Sequence, residues 1–546
     1  MKFSKKLGFT VLGLLPTAAI AQETPAIPSV PADAIARIRA EGMNNSKVMA
    51  TAQVLCDRFG ARLTGSQALL DANAWTRDEM ASWGMQAKLE AWGPFGRSWE
   101  LQRTEAQVAA PYVAPLIAVP KAWSPPTAGR LDAEVVIFDP VTDTDYQNAT
   151  GKLRGKIVLT SKPRELKPEF EPRASRRTDE ELQKMAVAPV PTPTATPTPA
   201  PNAAPSNAAS VPTAAAQRLA RKLNFLREQG AALLLDNSNT ASGGTVFTAS
   251  ALVPQDKPLS KPTATGRTRL LAQDAEAEGR VLPQMTLATE NYNQLYRLVA
   301  SGQKVRIRAQ IASKFGGNAR CFNTIAEIPG SDLKDQIVML GGHMDSWQGS
   351  TGATDNAAGV SVAMEAARIL LATGLKPRRT IRVALWTGEE EGLLGSAAYV
   401  NEHFGRIDTK GTTKTFVPGP EYEKLAAYYN LDNGGGKARG IFAQGNTAAA
   451  PYFKSWLSPL ADLGAGTTTL SNTGSTDHIS FDRIGLPGFQ FIQDRLEYFT
   501  FTHHSNQDNY DRLQEDDLKQ LSVVMATMVY QTAMMDERFP RKPFTP

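Results

Sequence analysis

Cysteine is scarce in this chain of 546 residues, which contains only Cys56 and Cys321. Two cysteines exclude a disulfide-rich scaffold and allow at most one bridge. The sequence leaves open whether the two pair or remain small buried hydrophobic residues. With 42% hydrophobic and 21% charged residues, the chain has a globular composition and is long enough for one large domain and a smaller companion.

Long hydrophobic runs are also lacking. Beyond the first 21 residues, no run reaches the ~20 apolar residues that a membrane-spanning helix needs. Residues 1–21 carry three lysines and then an apolar run, and they end in Ala-Ile-Ala, which is typical of a secretory signal cleaved before Gln22. No cysteine follows that point for lipid attachment. The sequence therefore predicts an exported protein, secreted or periplasmic, without a membrane span.

A large excess of one charge is the third absence. The formal net charge of +5 falls to +2 when the three lysines of the signal are removed. A balance this close to neutral gives no reason to expect nucleic acid or a membrane surface as a partner.

Three kinds of sequence pattern follow one another along the chain. Residues 44–89 have apolar residues at helical spacing. Short β-type runs begin near Thr104, with examples at residues 134–138 and 155–159, and this texture ends near residue 311. Within it, residues 185–217 are rich in Pro, Thr, Ala, Ser and Asn and carry no charge, so we expect an extended or disordered surface loop there.

From Asn323 onward, strands and helices alternate, which is typical of an α/β domain with a largely parallel sheet. Apolar strands are predicted at residues 336–340, 380–386, 425–430 and 488–492. A polar residue follows each of these strands within three positions.

Metal-ligating side chains lie near the ends of three of these strands. His343, Glu389, Glu390 and Asp432 are all expected at the carboxyl edge of the sheet, where open α/β sheets place their chemistry. Asp355 lies in a loop of small residues just before a predicted helix, and its carboxylate can reach inward. Two histidines and three acids can hold two zinc ions if one carboxylate bridges them.

Spacing suggests further roles. Asp345 lies two residues after His343, so it can orient that ring through the nitrogen that does not bind metal. Adjacent Glu389 and Glu390 cannot point the same way along an extended backbone, so one can be a ligand while the other faces a water molecule. His503 and His504 compete for one ligand position, and spacing does not choose between them.

These motifs resemble those of the co-catalytic zinc exopeptidases, and most closely the carboxypeptidase Q, or plasma glutamate carboxypeptidase, branch of aminopeptidase-like enzymes. The blocks that carry the resemblance are GHMDSW (residues 342–347), GATDN (352–356) and WTGEEEG (386–392). In that family, a late histidine is followed by a hydroxyl residue and then an aspartate. His504, with Ser505 and Asp508 after it, fits this pattern, and His503 does not.

The resemblance implies a role for each candidate residue. It implies metal-assisted hydrolysis with two zinc ions: His343 and Asp432 on one ion, Glu390 and His504 on the other, Asp355 bridging and Glu389 as general base.

The resemblance also implies a fold. We expect a mixed, largely parallel sheet sandwiched by helices, formed by residues 22–103 and 318–546. Residues 104–317 resemble an inserted β-rich protease-associated domain, and the loop at 185–217 departs from the family.

Exopeptidase cleavage of dipeptides or short peptides is the function expected from this resemblance. The sequence does not decide between an aminopeptidase and a carboxypeptidase Q-like dipeptidase, or between a monomer and a homodimer. Two alternatives share the fold: a glutaminyl cyclase-type acyltransferase, which uses one zinc, and a non-enzymatic receptor, in which ligands are lost. The retention of all five ligands and the base argues against both.

Overall fold

A computed structural model describes residues 27–191, 213–238, 242–261, 263 and 267–546. The predicted signal at 1–21 and most of the predicted loop, 192–212, lie outside the described residues. The helices are α1 (Ala32–Asn44), α2 (Val48–Gln53), α3 (Gln67–Ser82), α4 (Asp143–Ala149), α5 (Asp179–Ala186), α6 (Ala214–Glu228), α7 (Thr289–Ala300), α8 (Ala358–Ala372), α9 (Leu394–His403), α10 (Ala450–Leu457), α11 (His478–Asp482) and α12 (Glu515–Met534).

The strands form two large sheets and one hairpin. They are β1 (Gln86–Trp92), β2 (Arg97–Ala110), β3 (Ala114–Pro115), β4 (Ala118–Pro120), β5 (Leu131–Ile137), β6 (Ile157–Leu159), β7 (Leu233–Asn237), β8 (Gln284–Leu287), β9 (Arg306–Asn318), β10 (Cys321–Ile328), β11 (Leu333–His343), β12 (Arg379–Trp386), β13 (Gly405–Lys410), β14 (Thr413–Pro418), β15 (Leu425–Asn430), β16 (Ala438–Phe442), β17 (Thr467–Thr469) and β18 (Gly488–Gln493).

The first sheet has the strand order β1-β10-β12-β11-β15-β18-β16-β17. Its centre, β12-β11-β15-β18, is parallel, whereas β1 and β10 are joined to it by antiparallel pairings. Every residue of β12 and of β15 is buried, as expected for parallel strands covered by helices on both faces. The predicted mixed α/β fold is confirmed.

Alternation along the central strand assigns each side chain to one of two cores. Val338 and Leu340 of β11 pack in the cluster that includes residues of α3, α8 and α12. Ile337 and Met339 pack on the opposite face, with residues of α9 and α11. Helices therefore cover both faces of the sheet.

The second sheet has the order β3-β2-β9-β5-β6-β7-β8-β4 and combines parallel and antiparallel pairings. Residues of α7 pack on one face, and residues of α6 pack on the other. The proposed domain limits near residues 103 and 318 fall inside or at the end of the long strands β2 and β9, so the insertion stays a prediction.

The structure changes one sequence interpretation and answers one question that the sequence left open. The helical pattern assigned through residue 89 ends earlier, because β1 begins at Gln86 and forms an edge strand with alternating exposure. Cys56 and Cys321 are buried and unbonded and lie in separate hydrophobic clusters.

Within the described residues, no helix has both the length and the apolar character that crossing a membrane requires.

One buried arginine connects the N-terminal helices to the loop that follows β11. The side chain of Arg62 is fully buried, and its guanidinium donates to the carbonyl oxygens of Met344 (2.8 Å), Thr351 (2.7 Å) and Gly352 (2.9 Å). Two further bonds reach carbonyls near Arg62 itself. One planar group with five N–H donors therefore holds the loop of residues 344–352 in place.

We expect Arg62→Lys to destabilise the protein. A lysine keeps the charge but offers three donors at one point, so carbonyl oxygens of the loop remain unsatisfied. The free energy of unfolding, measured by urea denaturation of the metal-free protein, should fall by about 2–5 kcal/mol. The control Arg58→Lys, at an exposed position nearby, should change it by less than about 0.5 kcal/mol. Equal effects of the two substitutions would contradict the structural role of Arg62.

Candidate metal centre

The ends of three adjacent strands bring the predicted metal ligands together. His343 is the last residue of β11, which pairs with β12 on one side and β15 on the other. Glu389 and Glu390 follow β12, and Asp432 follows β15. Close packing in front of His343 requires glycine, because a Cβ on Gly342 would lie 2.8 Å from the carbonyl oxygen of Leu431. Strand order therefore converts distant sequence positions into one cluster.

Asp355 lies in the turn before α8, and hydrogen bonds hold that turn on both sides. The carboxylate of Asp508 accepts from the main-chain N–H of Thr354 (2.6 Å) and from that of Asp355 (3.0 Å). The side chain of Asn356 donates to the carbonyl oxygen of Leu431 (2.8 Å). The turn is thus attached to the segment that carries Asp432.

The two oxygens of Asp355 face two different histidines. Its Oδ1 lies 3.3 Å from Nε2 of His343, and its Oδ2 lies 3.3 Å from Nε2 of His504. The same His343 nitrogen is 3.3 Å from Oδ1 of Asp432, and the His504 nitrogen is 2.9 Å from Oε2 of Glu390. The five side chains therefore form two groups that share one carboxylate.

Glu389 lies beside the group that contains His343 and Asp432. Its carboxylate is within 4.8 Å of the ligand atoms of His343 and Asp432. Burial raises the pKa of Glu389 well above its usual value, and Asp432 adds to the rise, although His343 opposes it. A carboxylate held in this way is suited to accept a proton during a reaction.

The charges of the cluster fit bound cations. Oδ2 of Asp355 and Oε1 of Glu390 are buried and form no hydrogen bond to any described residue. Within the described ranges, Glu389, Glu390, Asp355 and Asp432 form no ion pair with lysine or arginine; histidine alone pairs with three of them. Buried carboxylates without counterions are unfavourable. Imidazole nitrogen and carboxylate oxygen are ligands that zinc accepts, so these residues fit two divalent cations.

The hydrogen bonds of Asp345 differ from the sequence expectation. The ring Nδ1 of His343 is 3.0 Å from the main-chain carbonyl of Asp345 and 3.7 Å from its carboxylate. A proton on Nδ1 donated to that carbonyl leaves the Nε2 lone pair facing the cluster. The carboxylate instead accepts from the hydroxyl of Thr64 (3.1 Å) and from the main-chain N–H of Glu390 (3.2 Å). Asp345 therefore contacts both groups of the cluster.

Geometry favours His504 over its neighbour. The two imidazole rings stack with their centroids 3.7 Å apart. Nε2 of His503 lies 3.9 Å from the nearest oxygen of Asp355, whereas His504 approaches both Asp355 and Glu390 more closely. Burial lowers the pKa of His503 to about 4, so its ring is neutral near pH 7.

Four residues that sequence reasoning did not assign support the cluster. Arg62 holds the loop after β11, Thr64 donates to the carboxylate of Asp345, and Asp508 holds the turn that carries Asp355. Trp347 donates its indole N–H to Oε2 of Glu390 (2.7 Å). Trp347 and Asp508 lie within the quoted motifs, which was the available signal, whereas nothing in the local pattern distinguishes Arg62 or Thr64.

Part of the chain matches a protein-family model. Residues 323–529 match the model described as Peptidase family M28. Carboxypeptidase Q of Mus musculus is 30% identical over 260 residues, which are 48% of this chain and 52% of that protein. Leupeptin-inactivating enzyme 1 of Streptomyces exfoliatus is 31% identical over 168 residues, 30% of this chain and 34% of that one. The alignment to carboxypeptidase Q thus spans about half the length of that relative.

Solved structures share the fold over most of the chain. A structure described as a Peptidase M28 precursor from Shewanella amazonensis SB2B has a TM-score of 0.63 at 24% identity and covers 94% of this chain and 98% of its own. The zinc aminopeptidase BSAP of Bacillus subtilis has a TM-score of 0.50 at 19% identity and covers 90% and 95%. At these identities, the likeness shows the fold alone.

We expect Trp347→Phe to weaken metal binding only at the group that contains Glu390 and His504. The substitution keeps an aromatic ring but removes the N–H that orients Glu390, and loss of such an outer hydrogen bond typically reduces metal affinity 10- to 100-fold. Competition titration with a chromogenic zinc chelator should show one weakened site and one unchanged site. Trp83→Phe, away from the cluster, is the control. Unchanged affinity at both sites would contradict the role of Trp347.

Proposed function

We propose that this chain, whose residues 323–529 match the model described as Peptidase family M28, is an exported exopeptidase that hydrolyses dipeptides or short peptides with two zinc ions. The observation that carries the proposal is the shared carboxylate: Asp355 faces His343 with one oxygen and His504 with the other.

The proposed mechanism gives each residue of the cluster one task. His343 and Asp432 would hold one ion, Glu390 and His504 would hold the other, and Asp355 would be the ligand that the two groups share. When bound, the two ions supply Lewis-acid chemistry, which activates water and polarises the peptide carbonyl.

Proton transfer is assigned to Glu389. Its carboxylate takes a proton from the attacking water and delivers it to the nitrogen of the leaving amine. The position of Glu389 supports this assignment, because its carboxylate lies within 4.8 Å of the ligand atoms of His343 and Asp432. Asp345 contributes by fixing the ring of His343 and the backbone of Glu390.

Two substitutions separate the base from the bridge. We expect Glu389→Gln to abolish turnover while the protein retains about two zinc ions per chain, because the side chain is not needed for binding. Asp355→Ala should remove both ions, because each group loses its shared ligand. Metal content is measured by inductively coupled plasma mass spectrometry, with the exposed Asp408→Asn as the control. Loss of metal from Glu389→Gln would make Glu389 a ligand.

Hydrolysis of a dipeptide tests the activity itself. We expect the mature protein to cleave leucyl-leucine and to lose this activity in the presence of a chelator. Its N-acetylated and C-amidated forms then identify which free end is required. Cleavage of the amide but not of the acetylated form indicates an aminopeptidase, whereas loss with either block indicates a dipeptidase. No chelator-sensitive cleavage of any form would contradict the proposal, and one zinc per chain would favour a cyclase.

A further inference from the structure

His504 has a main-chain conformation that residues other than glycine rarely adopt. Its φ is 56°, in the left-handed region. The residue lies in the segment of residues 494–508, which follows β18 and contains no strand. Such a conformation persists only where the surrounding structure holds it. The contacts of this segment therefore determine where the imidazole of His504 lies.

A loop of the second sheet holds the peptide group of His504. This loop connects β7 to β8, and its Thr248 donates to the carbonyl oxygen of His504 through both the main-chain N–H (2.7 Å) and the hydroxyl (3.0 Å). The neighbouring Phe247 forms a β-bridge with Ser505. Thr248 is only 8% exposed, so water competes little for either bond. One residue of the second sheet's loop thus supplies two donors to this carbonyl.

Asn506 extends the same pairing. Its main-chain N–H donates to the carbonyl oxygen of Val246 (3.0 Å), and its Oδ1 accepts from the N–H of Val246 (2.7 Å). Its Nδ2 donates to the carbonyl oxygen of Gly244 (3.2 Å). The side-chain amide thus offers a donor and an acceptor to main-chain groups, as a neighbouring strand would. Residues 504–506 are therefore paired with residues 244–248.

Another stretch of chain from the second sheet holds the beginning of the segment. It connects β6 to α5, and its Ser175 donates the main-chain N–H to the carbonyl oxygen of Leu496 (2.9 Å). The hydroxyl of Thr500 donates to the carbonyl oxygen of Arg173 (2.8 Å). The segment that carries His504 is therefore bonded at both ends to chain that follows strands of the second sheet.

The second sheet also contacts the loop that carries Trp347. The methyl group of Thr248 packs closely on Gly349, where a Cβ would lie 2.1 Å from it. The side chain of Gln348 donates to a main-chain carbonyl of β4 (2.7 Å). Both contacts lie within two residues of Trp347, whose indole N–H donates to Glu390. The second sheet therefore supports both the acidic and the imidazole member of one group of the cluster.

We propose that the second sheet completes the metal centre, with Thr248 and Asn506 as positioning residues that hold the backbone of His504. This inference rests on the proposed two-zinc function and adds an asymmetry to it. The group that contains Glu390 and His504 depends on the second sheet, whereas His343 of the other group belongs to β11 in the first sheet. Both positioning residues act through His504, without contact to an ion.

Zinc affinity at the two groups tests this role. We expect Thr248→Val, which removes the hydroxyl and keeps the main-chain N–H, to weaken zinc binding by the group of Glu390 and His504 about 5- to 30-fold. The affinity of the other group should stay unchanged in competition titrations with a chromogenic chelator. Thr248→Ser keeps the hydroxyl and should restore the wild-type affinity. Thr409→Val, at an exposed position of β13, should change neither site.

Two further measurements separate positioning from a general loss of stability. In the His504→Ala background, Thr248→Val should leave zinc affinity unchanged, because its effect passes through His504. Asn506→Leu removes both side-chain bonds and keeps the main-chain N–H. In this variant without metal, hydrogen–deuterium exchange of residues 494–508 should become about fivefold faster, and exchange of β11 should stay unchanged.

The contrary outcomes are distinct. Equal weakening of both sites by Thr248→Val, or a weakening that persists in His504→Ala, would show that the substitution acts on the fold rather than on this ligand. Two bound zinc ions with unchanged affinities in both Thr248→Val and Asn506→Leu would refute the inference and leave the proposed function standing. Fewer than two zinc ions on the wild type would contradict the proposed function, and this inference with it.

Discussion

The carboxylate of Asp355 is the constraint on which the site depends. It stands between two histidines, and neither of its neighbouring acids has a lysine or arginine as a counterion among the described residues. A buried group of carboxylates of this kind is unfavourable unless cations occupy it. Hydrogen bonds outside the cluster hold the turn that carries Asp355. The carboxylate of Asp508 accepts from the main-chain N–H of Asp355, and the side chain of Asn356 donates to the main chain just after β15.

Two layers of support surround that carboxylate. The parallel strands β11, β12 and β15 place the candidate metal ligands at one edge of the sheet, and Arg62 fixes the loop between His343 and Asp355. Residues of β7 and β8 in the second sheet line a cavity that also reaches Glu390 and His504.

The strand ends were predictable because buried parallel strands read as apolar runs that stop at a polar residue. The strand at Leu425–Asn430 has the bounds expected from its sequence, and the candidate ligands His343, Glu390 and Asp432 and the candidate base Glu389 follow from the same rule. The edge strand β1 was missed because its alternating exposure has no continuous apolar run. Arg62 was also missed. Its partners Met344, Thr351 and Gly352 lie far away in sequence, and no local periodicity reports such contacts.

The most direct test of the central claim is anomalous diffraction at the zinc edge from crystals of the mature protein grown with zinc. The account predicts two peaks, one on each side of the Asp355 carboxylate: one beside His343 and Asp432, and the other beside His504 and Glu390. A single peak, or peaks at which Asp355 is not a shared ligand, would contradict it.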